Sequence, residues 1–400
     1  MSFMNSKTWL AQWTNHIDHC KDLVRNGILV DDATGLEYFT GYSYKRLYDW
    51  DQYFEAIILQ YLGLPSVYAK NAVVIFLKNQ SESGYIPRSI PPTAFPDDCA
   101  EHVKPFLAQT ALLASRHERD FTWLSEDLFM RMMKYIEYWL FDLDRNGNGL
   151  SEWESAPHTG MDTQHERAGY WDAKFGEGVD LNCYLVRECR AFAGIAEELG
   201  YPDIAARFND HANNRAARVQ ELCWDEEESW FYDIDARTGK KLKVKTAGGF
   251  AAMWAGIATD EQAHQMVTKH LLNPKEFWSP YPVAVYARNE PGYSEDWLEG
   301  DIGCLWRANT WIPVNYYVYH ALRQYGYESI ASLLAEETYD LVDKHPEPRE
   351  YYNSETGEGM GLEPFWGWTL LAYLMPVEEL TGIDPTDIDC KLSSYIRISV

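Results

Sequence analysis

Apolar residues recur at three- and four-residue intervals through most of this chain. Over 123–141 they fall at Leu124, Leu128, Met132, Tyr135, Ile136, Trp139 and Leu140, and over 179–199 at Leu181, Leu185, Cys189, Phe192, Ala196 and Leu199. Such spacing lines one face of an α-helix. The same pattern predicts helices over 8–26, 51–62, 66–81, 104–118, 202–222, 247–256, 259–271, 309–325, 327–343 and 365–374, about twelve in all. Strand-like alternation is confined to short runs such as Trp230-Phe-Tyr-Asp-Ile234 and Lys241-Leu-Lys-Val-Lys245. These predict a small hairpin turned by Asp235-Ala-Arg-Thr-Gly239.

Between the helices lie long polar stretches rich in Gly, Pro, Trp and Tyr, at 27–50, 82–103, 142–178, 272–308 and 344–364. Loops longer than about 12–15 residues inside a compact domain are usually functional. No Pro- or Ser-rich linker and no low-complexity tract divides the chain, so 1–400 reads as one domain. A dozen helices with long loops suit an all-α toroid of paired helices whose loops gather at one end. A helical solenoid would show a sequence repeat, and none is evident.

Composition narrows the partners. The chain is 46% hydrophobic and 24% charged, as expected of a protein with a folded core. Thirty-five basic against 61 acidic residues give a formal charge of −26, which repels nucleic acid and anionic lipid. No stretch approaches the roughly 20 apolar residues of a membrane span. The start, Met1-Ser-Phe-Met-Asn-Ser-Lys-Thr-Trp9, lacks the basic-then-apolar order of a secretion signal, so a cytoplasmic protein is expected. Seven cysteines, at 20, 99, 183, 189, 223, 304 and 390, form no Cys-x-x-Cys pair and suggest neither a disulfide framework nor a zinc site. Aromatic residues make up 15% of the chain, including 16 Trp and 27 Tyr. Such rings pack against sugar faces and equally fill helical cores, so this leaves both readings open.

Two acidic segments hold the candidate chemistry: Glu154-Ser-Ala-Pro-His-Thr-Gly-Met-Asp-Thr-Gln-His-Glu-Arg167, containing Asp162, and Pro348-Arg-Glu-Tyr-Tyr-Asn-Ser-Glu-Thr-Gly-Glu-Gly359, containing Glu350. Each sets a carboxyl among aromatic, Gly and Arg residues in a loop-like stretch. That setting suits hydrolysis of a glycosidic bond by two carboxylates, one as acid and one as base. By residue type alone a surface turn acid is the better reading of Asp162, and Glu355 and Glu358 compete with Glu350. The run Asp142-Leu-Asp-Arg-Asn-Gly-Asn-Gly-Leu-Ser-Glu-Trp-Glu154 alternates Asp and Asn as calcium loops do. Its twelfth position is Trp153 counted from Asp142 and Ser155 counted from Asp144, where a calcium loop has Glu. A turn built on Asx side chains is the better reading of 142–154 than a bound calcium, and no cofactor is expected.

Five motifs in order resemble glycoside hydrolase family 63, with the trehalases as more distant relatives. They are Tyr48 with Trp50-Asp51; Asp144-Arg-Asn-Gly-Asn-Gly-Leu150; Glu154-Ser155 with Gly160-Met-Asp162 through Arg167; Trp306-Arg307 with Trp311; and Glu350-Tyr-Tyr-Asn353 with Gly367-Trp-Thr369. The similarity runs from about residue 38 to about 375. It implies an (α/α)6 toroid whose long loops form the active-site face. It also implies an inverting, exo-acting α-glycosidase of a short α-glucoside or α-mannoside, with Asp162 matching the general acid and Glu350 the general base. Asp51 matches an acid that accepts hydrogen bonds from the sugar in the cleaved position. Tyr44, Tyr48, Trp50, Trp306, Trp311 and Trp366 fall at aromatic pocket positions, and Arg88 and Lys104 in pocket loops.

The chain is most similar to the short bacterial members that resemble mannosylglycerate and glucosylglycerate hydrolases. A glycerate carboxylate would give Arg88, Lys104, Arg167 or Arg307 a role. Two departures bear on substrate. The trehalase-like Pro-Gly-Gly-Arg-Phe run is replaced by Phe39-Thr-Gly-Tyr-Ser-Tyr-Lys-Arg-Leu-Tyr48, which disfavours trehalose, and Trp306-Arg-Ala-Asn309 stands where relatives often have Trp-Arg-Gly-Pro. The expected partner is a small carbohydrate, and the sequence carries no indication of oligomeric state. Two other readings remain. A sugar epimerase or isomerase on the same architecture would use histidines, of which His102, His158 and His165 lie near the loops. A non-catalytic carbohydrate-binding protein is the other.

Overall fold

The computed structural model describes residues 7–43, 45–91, 101–168, 175–301 and 303–388, with side chains from residue 13 onward. Its helices are α1 (Lys7–Arg25), α2 (Asp49–Tyr61), α3 (Val67–Lys78), α4 (Leu107–Glu118), α5 (Glu126–Glu137), α6 (His165–Ala168), α7 (Val179–Glu198), α8 (Pro202–Cys223), α9 (Ala251–Trp254), α10 (Asp260–Gln265), α11 (Ile312–Gln324), α12 (Glu328–Asp343) and α13 (Leu371–Thr381). All twelve expected helices are present. Wider turns extend α5 to Asp142 and α10 to Leu271, and tight turns at 247–250 and 368–370 precede α9 and α13. The additional helix, α6, is a single turn inside a stretch that reads as loop.

Burial separates two kinds of helix. In α2 every residue from Asp49 to Leu59 is buried, and in α11 every residue from Ile312 to Leu322. In α8 only Ala205, Phe208, Ala212, Arg215, Val219 and Cys223 are buried, a single stripe at helical spacing. A helix buried all round belongs inside a layered structure, and a striped one covers it. Contacts agree: α2 packs on α4, α4 on α7, α7 on α9, α9 on α11, α11 on α13, and α13 returns to α2. The ring is closed. Outside it, α3 lies against α2 and α4, α5 and α8 against α7, α12 against α11 and α13, and α1 against α13. This is the (α/α)6 toroid.

Aromatic rings from five inner-helix regions meet in its centre. Tyr53 lies 5.3 Å from Phe106, Phe106 4.9 Å from Tyr184, and Trp254 5.6 Å from Tyr317. Much of the aromatic excess is therefore core. No helix among the described residues is long and apolar enough to cross a membrane.

Short ladders organise the loops. Leu47–Tyr48 pairs with Ser89–Ile90, and Tyr351–Asn353 pairs with both Asn309–Thr310 and Gly359–Met360. These pairings bring the Tyr48 and Arg88 segments together, and likewise the Trp311 and Glu350 segments. The expected hairpin is tighter than the alternation suggests: Asp233–Asp235 pairs with Lys240–Leu242, while Trp230–Phe231 pairs with Trp224–Asp225 instead. In the 142–154 run, Asp144 accepts from Gly149 N (2.9 Å), Asn146 from Asn148 N (3.0 Å) and Asn148 from Leu150 N (2.8 Å). The last two, each spanning two residues, are Asx turns, and the first closes the whole loop.

Candidate active site

A pocket of about 220 Å³ opens where the long loops converge. Four tryptophans, Trp50, Trp306, Trp311 and Trp368, wall it together with Tyr42 and Tyr48. Trp306 and Trp311 stack at 3.7 Å with an interplanar angle of 6°, and Tyr351 stacks behind Trp311 at 4.4 Å. The pocket is graded in exposure. Tyr48, Arg88, Asp162 and Cys304 are half-buried at its mouth, whereas Asp49, Asp51, Lys104, Glu350 and the tryptophans are buried deeper.

Asp162 follows the tight turn Pro157–Thr159, which Gly160 ends at φ 81°. A side chain at Gly160 would press on Trp50, its Cβ 2.9 Å from Cζ2. The Asp162 carboxylate accepts a hydrogen bond from Cys304 N at 2.9 Å. Glu350 stands immediately before the strand Tyr351–Asn353, accepts from Leu362 N at 3.0 Å through Oε2, and receives the Cys304 thiol at 3.5 Å on Oε1. A single residue thus touches both carboxyls, the backbone of Cys304 holding one and its side chain the other. Each carboxyl is also backed by a glycine at positive φ: a Cβ at Gly303 (φ 72°) would collide with Asp162, and one at Gly361 (φ 70°) would sit 2.5 Å from Glu350 Oε2. Only glycine tolerates both that backbone and that closeness.

Electrostatics distinguish the acids. Burial pushes the Asp162 carboxyl up to about 7, against the pull of Arg88, the Cys304 N–H and Lys104. Asp51, in the first turn of α2, also rises to about 7, through burial and then the neighbouring Asp49 charge. Burial, followed by the Glu350 charge, raises the Cys304 thiol well above its ordinary range, so it remains an S–H donor. Lys104 Nζ lies 3.2 Å from both oxygens of Asp49, and burial still draws its pKa down.

Of the residues expected at the site, Tyr48, Trp50, Asp51, Arg88, Lys104, Asp162, Trp306, Trp311 and Glu350 line the pocket. Tyr44 lies outside the described residues. Arg167, Arg307 and Trp366 do not line it. Arg167 is buried between Asp233 (Nε–Oδ2 2.7 Å) and Asp180 (Nη2–Oδ1 2.7 Å). Arg307 forks onto Asp301 and donates to Thr163 O at 2.8 Å. A buried guanidinium needs a counter-charge, and these two have theirs within the scaffold. Trp366 donates its indole N–H to Thr40 O at 2.7 Å and packs against Gly27.

Lys104 and Arg88 are likewise held by carboxylates, since Arg88 Nη1 lies 2.9 Å from Glu101 Oε2. All four cations anticipated for a glycerate are therefore ion-paired within the protein. Glu355 is tied to Arg288 at 2.6 Å and Glu358 is exposed, which leaves Glu350 as the pocket acid of its segment. Tyr42, Asp49, Cys304 and Trp368 also line the pocket, beyond what the sequence leads one to expect. Trp368 lies within the Gly367-Trp-Thr369 motif and Asp49 between Tyr48 and Trp50, whereas nothing in the sequence marks Tyr42 or Cys304.

The histidines that an epimerase would use are elsewhere. His102 is buried against Tyr135 O (3.1 Å), and burial lowers its pKa to about 3; His158 is buried against His102 O (2.6 Å); His165 pairs with Asp301 (2.9 Å). None of the three lines the pocket.

A family model described as a mannosylglycerate hydrolase MGH1-like glycoside hydrolase domain matches residues 44–369. The mannosylglycerate hydrolase of Rubrobacter radiotolerans is 28% identical over 207 residues, covering 51% of this chain and 44% of that protein. The cytosolic neutral trehalase of Kluyveromyces lactis is 28% identical over 235 residues, covering 51% and 30%. The aligned part thus spans less than half the length of either. The crystal structure of the GH63 mannosylglycerate hydrolase from Thermus thermophilus, in complex with Tris and D-glycerate, superposes with a TM-score of 0.70 at 17% identity, over 88% of this chain and 98% of that one.

Proposed function

The chain belongs to the mannosylglycerate hydrolase MGH1-like glycoside hydrolase family, and from that premise we propose that it is an inverting, exo-acting α-glycosidase of short α-glucosides or α-mannosides. The observation that carries this reading is the pair Asp162 and Glu350, held on either side of Cys304 in a tryptophan-walled pocket. In this reading the partly exposed Asp162 faces the leaving group of a sugar inserted end-on, and the buried Glu350 lies beside the sugar ring.

In the proposed reaction Glu350 takes a proton from a water molecule as that water attacks the anomeric carbon. Asp162 gives its proton to the glycosidic oxygen, the C–O bond breaks, and the sugar leaves with inverted configuration. The elevated pKa of Asp162 keeps a proton available near neutrality. Asp51, at the N-terminus of α2, would accept hydroxyls of the sugar, and the tryptophan faces would pack on its C–H surfaces. We place the reaction in the cytoplasm, a reading supported by the free cysteines Cys20, Cys183, Cys189, Cys223 and Cys304.

Asp162→Asn and Glu350→Gln should each lower turnover by at least about a thousandfold, in keeping with lost acid–base catalysis, while leaving the melting temperature within a few degrees of wild type. NMR of the first product should show the β-anomer from an α-linked substrate. An α-anomer formed first, or near-wild-type turnover in either variant, would sink the assignment.

A further inference from the structure

We infer that the substrate's leaving group is uncharged, a sugar or a polyol, because the cations lining the pocket are already held by carboxylates of the protein. The inference rests on the proposed glycosidase reading and sharpens its substrate class.

The pocket wall carries four carboxyls, Asp49, Asp51, Asp162 and Glu350, and two cations, Arg88 and Lys104. Lys104 lies at the buried end, 1% exposed, with Asp49 at 3.2 Å. It is close enough to Asp162 and Arg88 to act on both, but its charge is matched. Arg88 is at the mouth, but its guanidinium is bonded to Glu101 at 2.9 Å and to Pro157 O. Glu101 is itself buried and takes a hydrogen bond from Ser155 on its other oxygen. Five carboxyls therefore surround two cations, and each cation has a dedicated acid.

One stretch beside the pocket is acidic. Residues 289–306, which lead into Gly303 and Cys304, contain no lysine or arginine. Within them Glu295, Asp296 and Glu299 are exposed. Arg46, close to Tyr48 in sequence, donates its guanidinium to Pro91 O and does not line the pocket. Among the described residues both cations that line the pocket are matched, so a ligand carboxylate entering it would give up hydration for a guanidinium or ammonium already shared with an acid. An uncharged polyol meets the opposite situation. Its hydroxyls can donate to the carboxylates, and its C–H faces can rest on the Tyr48 ring, over which Arg88 sits at 5.9 Å.

Matched substrates test this on the wild-type protein. kcat/KM would be measured for α-glucosyl- and α-mannosylglycerol against α-glucosyl- and α-mannosylglycerate, with α-linked disaccharides alongside. The uncharged member of each pair, or a disaccharide, should exceed the glycerates at least tenfold. Equal or faster hydrolysis of a glycerate would overturn the inference and leave the glycosidase reading intact. Failure to cleave any of these compounds would instead remove the glycosidase reading, and this inference with it. In Glu101→Gln, Arg88 loses its matching charge, so the glycerate-to-glycerol ratio of kcat/KM should rise about fivefold or more. An unchanged ratio in a folded variant would show that pairing with Glu101 does not set the preference.

Discussion

At the scale of single residues, the pocket separates two carboxyls that sequence treats alike. Asp162 is lifted by burial to about 7, so its proton is held below that pH and lost above it. As general acid it must carry that proton, and kcat/KM should fall about tenfold per unit above roughly pH 7. A pH–rate profile level to pH 9 would rule Asp162 out as donor. Cys304 offers a second test. Its thiol donates to Glu350, so Cys304→Ala removes a hydrogen bond that favours the ionised base. The acid limb of the profile should move to higher pH and kcat/KM drop by about tenfold, with Cys304→Ser restoring both. An unshifted acid limb in Cys304→Ala would mean that the thiol does not tune the base. The two acidic segments were legible in sequence, and the family resemblance chose Asp162 and Glu350 within them. Cys304 was not legible, because a lone cysteine in a loop carries no pattern until folding sets it between two acids.

At the scale of elements, the sequence located every helix of the ring, by one-face spacing where a helix is striped and by a long apolar run where, as in α2 and α11, it is buried all round. Hydrogen bonds and ion pairs between elements left no such trace. His320 of α11 lies 3.0 Å from Glu378 of α13 and 3.0 Å from Asp384 beyond it. Burial alone would lower its pKa, yet Asp384 and Glu378 outweigh burial and raise it to about 9, while His320 holds Asp384 below the usual carboxylate range despite its burial. The histidine's contribution to stability is fully present below its unfolded value of about 6.5 and is lost as pH climbs through about 9. The aspartate's is present above about 4 and is lost in acid. The melting temperature of the wild type should therefore fall between about pH 6.5 and 9, with at most about 3 kcal/mol at stake. His320→Gln should lack that fall, and parallel curves for the two proteins would show that the cluster adds nothing.

At the scale of the whole molecule, the helices, their order along the chain and the two segments that hold the candidate acids could be read from the sequence. These follow from local spacing and from motifs that are contiguous in the chain. Which charges face the pocket follows from the folding of the chain. Arg167 and Arg307, both within recognisable motifs, turned to buried aspartates because a desolvated guanidinium takes the nearest carboxylate that closing the toroid supplies. Closing the ring of α2, α4, α7, α9, α11 and α13 also gathered loops distant in sequence at one end of the toroid. That set the tryptophan wall, placed Asp162 toward the mouth with Glu350 deeper, and matched Arg88 and Lys104 with acids of the protein. Pairing of this kind depends on distances across the ring, and no spacing along the chain encodes it.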